Sequence, residues 1–289
     1  MKHFRLLALL LALLPMAGAA QSDFPFPQIP SVLTDPADRL DYMLQHYWDE
    51  YNFRDTTKLN QDVAEQGLSD FINLMQYADT AQMRQAADRF SAKAFANEWG
   101  RSHYEELIEH YLGHPESPLR NDIFYACMLR SMNDAFPRTD ERRSRFQYQL
   151  RQVAKNQVGT KANDFDYVTR DGKWHTLQQL KATYTLIIFS DPECEHCQEA
   201  MPKLIANPAL QDKRLTVLSV YPDRNTQLWK KTANKLPSNW IDAYSPRGII
   251  MEKQIYYLPA LPSLYLLDAQ KQVLIKDGKL EDVLARLKE

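Results

Sequence analysis

Two cysteines stand three apart in the segment Cys194-Glu195-His196-Cys197. On a helix, residues three apart share a face, so the two sulfurs can meet. If the helix begins at the first cysteine, its unpaired N–H groups and partial positive charge favour a thiolate there. Cys194 is then the exposed nucleophile. Cys197 attacks the resulting mixed disulfide and releases the product. Two other uses of a cysteine pair compete with this one. A structural zinc site wants four ligands, but the chain holds one further cysteine, Cys127, and His175 and His196 make no standard ligand spacing. A structural disulfide between such near neighbours would close too small a loop to stabilise much. The residues favour exchange chemistry through a reversible Cys194–Cys197 disulfide, with no metal and no other cofactor.

Such a pair needs a strand to bring it to a sheet edge and a helix to hold it. The run Thr183–Ser190 is a continuous β-rich, apolar stretch that predicts a buried central strand just before the pair. Phe165–Thr169 and Lys173–Thr176, joined by Asp171-Gly172, predict a hairpin ahead of it. Leu215–Tyr221 and Trp240–Tyr244 predict further strands, with a helix over Thr226–Asn234 between them and another over Ile249–Tyr256. Ser263–Asp268 and Gln272–Lys276 predict a closing strand pair, and Leu280–Leu287 a final helix. This order gives an α/β fold with a mixed central sheet flanked by helices.

Before residue 159 strand signals are nearly absent. Asp35-Pro36 reads as a helix cap with proline at the first helical position. Helices are expected from there, around Val63–Gln76, Thr80–Glu98, Ser102–Leu112 and Asn121–Ala135, and from about Thr139 to Val158. The expected organisation is a leader at 1–20, an all-helical domain at 21–158 and the α/β domain at 159–289. The leader has a basic start (Lys2, His3, Arg5), an apolar run Leu6–Leu14, the breaker Pro15 and small residues Ala17-Gly18-Ala19-Ala20. That is the pattern of a secretory signal peptide, and the run is too short to span a bilayer. Export is expected, to the periplasm first and to the medium as the alternative, with no integral membrane segment in the mature chain. The net charge of −2 leaves no basic excess for phosphates, so nucleic acid is not an expected partner. Eight glycines against sixteen prolines argue against a Gly-rich nucleotide site.

The segment from Gly159 onward resembles the TlpA/ResA-type branch of the thioredoxin superfamily. Its lead-in "NDFDYVTRDGKWHTLQQL" has the shape of that family's opening hairpin. "YTLIIFSDPECEHCQEAMPKL" is similar to its strand, Cys-x-x-Cys and helix proline, here Pro202. "LPALPSLYLLD" resembles the cis-proline loop, with Pro262 in the cis position, and "AQKQVLIKDGKLEDVLARL" resembles the closing strand and helix. The helical half, with "YMLQHYWDEYNFRDT" and "SPLRNDIFYACMLR", resembles an uncharacterised domain that precedes such thioredoxin domains in exported bacterial proteins. The resemblance implies a thiol–disulfide oxidoreductase acting on protein thiols or disulfides, with a further electron donor or acceptor. It also implies that Leu261 and Ser263, on either side of Pro262, meet an extended substrate beside Cys194.

The chain departs from that pattern at two places. Asp191-Pro192-Glu193 stands where a tryptophan usually precedes the first cysteine, and Ala200 occupies the place of an acid found in some members. Glu199 and Asp191 are the nearby candidates for a proton acceptor to Cys197; solvated surface charge is the ordinary reading of both. His196 favours the reduced form, whereas Glu195 and Glu193 oppose a neighbouring thiolate. Two other functions compete. A peroxiredoxin-type thiol peroxidase wants a hydroxyl three positions before its cysteine, where this chain has Asp191. A non-enzymatic envelope protein could use the fold as a scaffold for partner binding, but both cysteines are present. Cys127 reads as a buried small hydrophobe. His103, His110 and His114 read as a solvated helix end, and the aromatics from Tyr42 to Phe53 as helix core.

Overall fold

The computed structural model describes residues 24–232 and 236–288; the expected leader at residues 1–20 lies outside them. The chain divides into two compact units between Leu150 and Arg151.

The first unit is helical, as expected: α1 (Pro36–His46), α2 (Lys58–Leu74), α3 (Thr80–Ala94), α4 (Glu98–Ile108), α5 (Asp122–Ala135) and α6 (Arg142–Val153). Short polar side chains set the helix starts. Asp35 accepts from the Ala37 N–H at 2.8 Å. Asp79 and Gln82 cap one another reciprocally at the head of α3. The helix expected over Thr80–Glu98 ends at Ala94, and the next begins at Glu98 rather than at Ser102. Asn97 accepts from the Gly100 N–H at 2.8 Å and starts α4 afresh. Gly100 has to be glycine there, because a Cβ would come within 2.0 Å of the Ala94 carbonyl. At its far end α4 widens into a π-turn, Glu109–Gly113, closed by the His114 N–H on the Glu109 carbonyl at 2.9 Å. Tyr47, Trp48, Tyr51 and Phe53 are buried; Tyr47, Trp48 and Phe53 meet Phe71, Phe90 and Tyr104 through tilted or edge-on ring contacts, and the Tyr104 hydroxyl donates to that of Tyr51 at 3.5 Å. Phe24 completes the cluster by lying over Gly67, where a Cβ would come within 2.3 Å of its ring. Cys127 is buried on α5. Glu105, also buried, is held by Arg142 and Arg145.

The second unit is built on a sheet. Its elements are β1 (Asp166–Thr169), β2 (Trp174–Thr176), β3 (Tyr184–Phe189), α7 (Glu195–Ala206), β4 (Leu215–Tyr221), α8 (Thr226–Thr232), β5 (Ile241–Tyr244), the single turn α9 (Ile249–Glu252), β6 (Ser263–Leu267), β7 (Val273–Ile275) and α10 (Leu280–Leu287). Among the described residues the strands form one seven-stranded sheet in the order β2-β1-β5-β4-β3-β6-β7. β3, β4 and β5 run parallel, and the outer pairs are antiparallel. β3 is buried on both faces, which explains its unbroken apolar sequence. One face carries Ile187, Phe189, Leu218 and Tyr265; the other carries Leu186, Ile188, Val217 and Leu266 with Leu204 of α7 and Val283 of α10. The β1–β2 turn uses Gly172 at φ +79°. The helix expected over Ile249–Tyr256 stops after one turn. Gln254 adopts φ +49°, its side chain accepts from Gln152 at 2.7 Å and its carbonyl accepts from Lys155.

Candidate functional site

Pairing between β3 and β4 carries one residue past the strand: the Ser190 N–H donates to the Val220 carbonyl at 3.1 Å. The chain then turns through Asp191-Pro192-Glu193. The Asp191 carboxylate accepts from the Glu193 N–H at 2.8 Å, and its carbonyl accepts from the Cys194 N–H at 3.1 Å. This turn delivers Cys194 as the N-cap of α7, with extended backbone at φ −77° and ψ 120°. Its sulfur takes the place of a capping oxygen and accepts from the Cys197 N–H at 3.3 Å. The Gln198 side chain ties the helix to the turn by donating to the Pro192 carbonyl at 2.7 Å.

The second wall is the loop before β6. The Leu261–Pro262 peptide bond is cis, and the Leu261 carbonyl accepts from the Cys194 Sγ at 3.3 Å. Leu261 and Pro262 are half-buried beside that sulfur. Ser263 is the other residue expected to meet substrate beside Pro262. It opens β6 opposite Phe189, is fully buried, and its hydroxyl donates to Asp277 rather than facing Cys194.

The two sulfurs have different surroundings. Cys194 is half-buried, whereas Cys197 is 2% exposed. Cys197 accepts from the Asp191 N–H at 3.5 Å. Burial pushes its thiol up to about 12, with Cys194 and the Asp191 charge acting in the same direction against that N–H. Both cysteines are free thiols. Glu195, His196 and Glu199 are exposed on the first turns of α7. Glu195 is placed to favour the positive end of the helix.

Behind the start of α7 lies a cleft of about 810 Å³. Cys197, Asp191, Tyr221, Met201, Trp229 and Asp242 are among the residues that line it. Glu199 does not line it. Asp242 was not singled out by sequence. Its side chain is 13% exposed, accepts from Trp229 Nε1 at 2.9 Å and pairs with Arg170. Burial raises the Asp242 pKa in spite of those two partners. Arg170 also stacks over the Trp229 ring, 4.2 Å from its centroid. A charged residue within the otherwise apolar segment Trp240–Tyr244 was the available signal.

Among the described residues no group of three His, Cys, Asp or Glu side chains is arranged to hold a metal. His110 and His114 have ring centroids 6.4 Å apart, while His103 stacks on Trp99. No described helix is long and apolar enough to cross a membrane.

Comparison with known proteins follows the same division of the chain. Residues 15–156 match a domain of unknown function, DUF5106, and residues 158–276 match the AhpC/TSA family. A thioredoxin-like protein from Bacteroides caccae, solved as a crystal structure, is 32% identical. The match covers 93% of this chain and 99% of that one at a TM-score of 0.85. The C-terminal domain of an uncharacterized protein from Bacteroides fragilis is 41% identical over 47% of this chain and 100% of its own, at a TM-score of 0.45. A conserved protein of unknown function from Bacteroides fragilis is 38% identical over 45% and 98%, at a TM-score of 0.43. No curated protein matches. The chain therefore belongs to the thioredoxin-like proteins, as a helical DUF5106 domain followed by a thioredoxin-like domain of the AhpC/TSA family.

Proposed function

We propose that this protein is an exported thiol–disulfide oxidoreductase whose redox centre is the Cys194–Cys197 pair. The observation that carries the proposal is the setting of Cys194. It caps α7 through its own sulfur, and that sulfur touches the Leu261 carbonyl next to Pro262. An extended substrate strand laid along Leu261 would bring its disulfide to Cys194. The Cys194 thiolate attacks one substrate sulfur, forms a mixed disulfide and expels the other as a thiolate. Cys197 loses its proton, attacks the Cys194 sulfur and releases the second substrate sulfur as a thiol. The protein is left with a Cys194–Cys197 disulfide, and two electrons have passed to the substrate. An external dithiol restores the starting state. Run in reverse, the same steps oxidise protein thiols. The basic, apolar and small-residue order of residues 1–20 supports export, and protein thiols or disulfides are the proposed partners.

The AhpC/TSA match brings a thiol peroxidase into consideration. Asp191 opposes it. A carboxylate stands where a hydroxyl would hold peroxide, and it is already engaged by the Glu193 N–H. The deciding experiment uses purified mature protein. Insulin disulfide reduction in the presence of dithiothreitol should be accelerated, and peroxide should be consumed no faster than by dithiothreitol alone. Peroxide turnover without insulin reduction would reverse the assignment.

A further inference from the structure

The fold places a carboxylate where a sheet packed against helix α7 has no structural need of one. Ile188 of β3 lies opposite Ser219 of β4, and Ser219 lies opposite Asp242 of β5. Residues facing one another across neighbouring strands share one side of the sheet. Ile188 packs in the same core as Leu204 of α7, so this row lies on the face that α7 covers. Trp240, two positions before Asp242, is buried in that core too. An apolar residue at 242 would continue the layer. The Arg170 side chain that pairs with Asp242 is 32% exposed, and an ion pair open to solvent adds little stability. The Asp242–Arg170 pair therefore calls for another explanation.

That explanation is the cleft. Asp242, Ser219 and Cys197 all line it. Its volume of about 810 Å³ is ample for water, and solvent together with the Ser219 hydroxyl can link the thiol to the carboxylate.

We propose that Asp242 is the proton acceptor for Cys197, acting through the cleft. This rests on the thiol–disulfide reading above. In the resolving step the Cys197 proton passes by way of Ser219 and solvent to the Asp242 carboxylate. The Cys197 thiolate forms the S–S bond to Cys194 as the bond to substrate breaks, and the departing thiolate takes up a proton in turn. Several groups set the charge around this path. Arg170, from the β1–β2 turn, and the Trp229 indole, from α8, hold Asp242. Tyr221 of β4 and Asp191 of the motif turn share the lining of the cleft with it. A neighbouring hollow on the hairpin side, which Asp242 also lines, brings in Asp171, Lys173 and His175. The burial that raises the Asp242 pKa makes it a stronger acceptor than an exposed carboxylate. Glu199 points elsewhere, and the Asp191 charge opposes a thiolate on Cys197.

The test mixes the reduced full-length protein with 5,5′-dithiobis(2-nitrobenzoate) in a stopped-flow instrument. The first equivalent of released thiolate reports attack by Cys194, and the second reports resolution by Cys197. Asp242→Asn keeps the shape and the acceptor for Trp229. At pH 7 it should lower the ratio of second-phase to first-phase rate by about a hundredfold, the low end of a general-base contribution. The deficit should shrink as pH rises and hydroxide takes over. An unchanged ratio, or a deficit that does not vary with pH, overturns the proposal. So does finding the pH-dependent loss in Asp191→Asn or Glu199→Gln instead. A second measurement needs no variant: the ¹³C carboxyl shift of Asp242 in the wild-type protein should titrate at different pH in the dithiol and disulfide forms. Identical titrations overturn the assignment. If the wild-type protein shows no second phase at all, the exchange reading itself fails, and this proposal with it.

Discussion

Burial of Cys197 makes a quantitative prediction about its reactivity. In Cys194→Ser protein, Cys197 can be alkylated by iodoacetamide without competition from its partner. Its thiol is pushed from an ordinary 9.0 up to about 12, with burial as the largest cause, and the substitution leaves that burial in place. A rise of about three units lowers the thiolate fraction at pH 7 by about 10³. A more basic thiolate is also a better nucleophile, and a Brønsted slope of about 0.4–0.5 returns a factor of about 25. The fall in thiolate fraction wins, so Cys197 should react about fortyfold more slowly than a free cysteine. Peptide mapping by mass spectrometry separates Cys197 from Cys127, which is also buried. The rate at Cys197 should climb tenfold per pH unit through pH 10 without levelling off. A plateau near pH 9, or alkylation at the speed of a free thiol at pH 7, would refute the link between burial and proton retention.

The same proton affects stability. A folded value above the unfolded one contributes stability that is present below about pH 9 and is lost as pH rises toward about 12. At pH 10 the dithiol protein should be less stable on this account, by on the order of 1 kcal/mol. Urea titrations of the reduced protein should show that loss, and Cys197→Ser should lack it. Cys197→Ser should also accumulate mixed disulfides with substrate proteins on non-reducing gels, whereas Cys194→Ser should form none and lose exchange; the opposite pattern would reverse the two roles. Gly67→Ala puts a methyl group 2.3 Å from the Phe24 ring. Overpacking of about 1–3 kcal/mol should outweigh the helix gain of about 1 kcal/mol, so thermal unfolding of the helical unit should move down. Asp79→Ala removes the capping box of α3 and should cost about 1 kcal/mol in the same assay.

What could be read from sequence was what local pattern controls. The run Tyr184–Phe189 announces a strand covered on both faces, and Asp35-Pro36 announces a helix start, because each depends on neighbours in the chain. The resemblance to the thioredoxin superfamily, not spacing along the chain, is what put Leu261 beside Cys194, where the structure has it. Misreadings arose where distant groups decide. The break before Asn97 depends on how closely Gly100 approaches Ala94. The early end of α9 depends on Gln152 and Lys155, about a hundred residues upstream, which hold Gln254 in a left-handed conformation. The direction of the Ser263 hydroxyl, on which the sequence is silent, is likewise set at a distance, by strand alternation and the carboxylate of Asp277. Asp242 gains its significance from Ile188 and Ser219, on two other strands, and no spacing along the chain reveals that row.

The strand order has a consequence for the time course of synthesis. The β1–β2 hairpin emerges from the ribosome before β3, yet β1 pairs with β5, and Val168 finds Tyr244 more than seventy residues later. The central strand likewise meets β4 soon but waits for β6 on its other side. Until then β3 presents a long apolar edge, the kind of surface on which chains pair with one another. The cysteines follow that strand directly, so they are made while its edge is open, and Leu261, which lines their site, arrives more than sixty residues afterwards. In the nascent chain the thiols therefore precede the pocket that governs them. Under the proposed exchange function, a chain held unfolded during transit would carry its cysteine pair without selectivity, and discrimination between partners would begin when β6 docks.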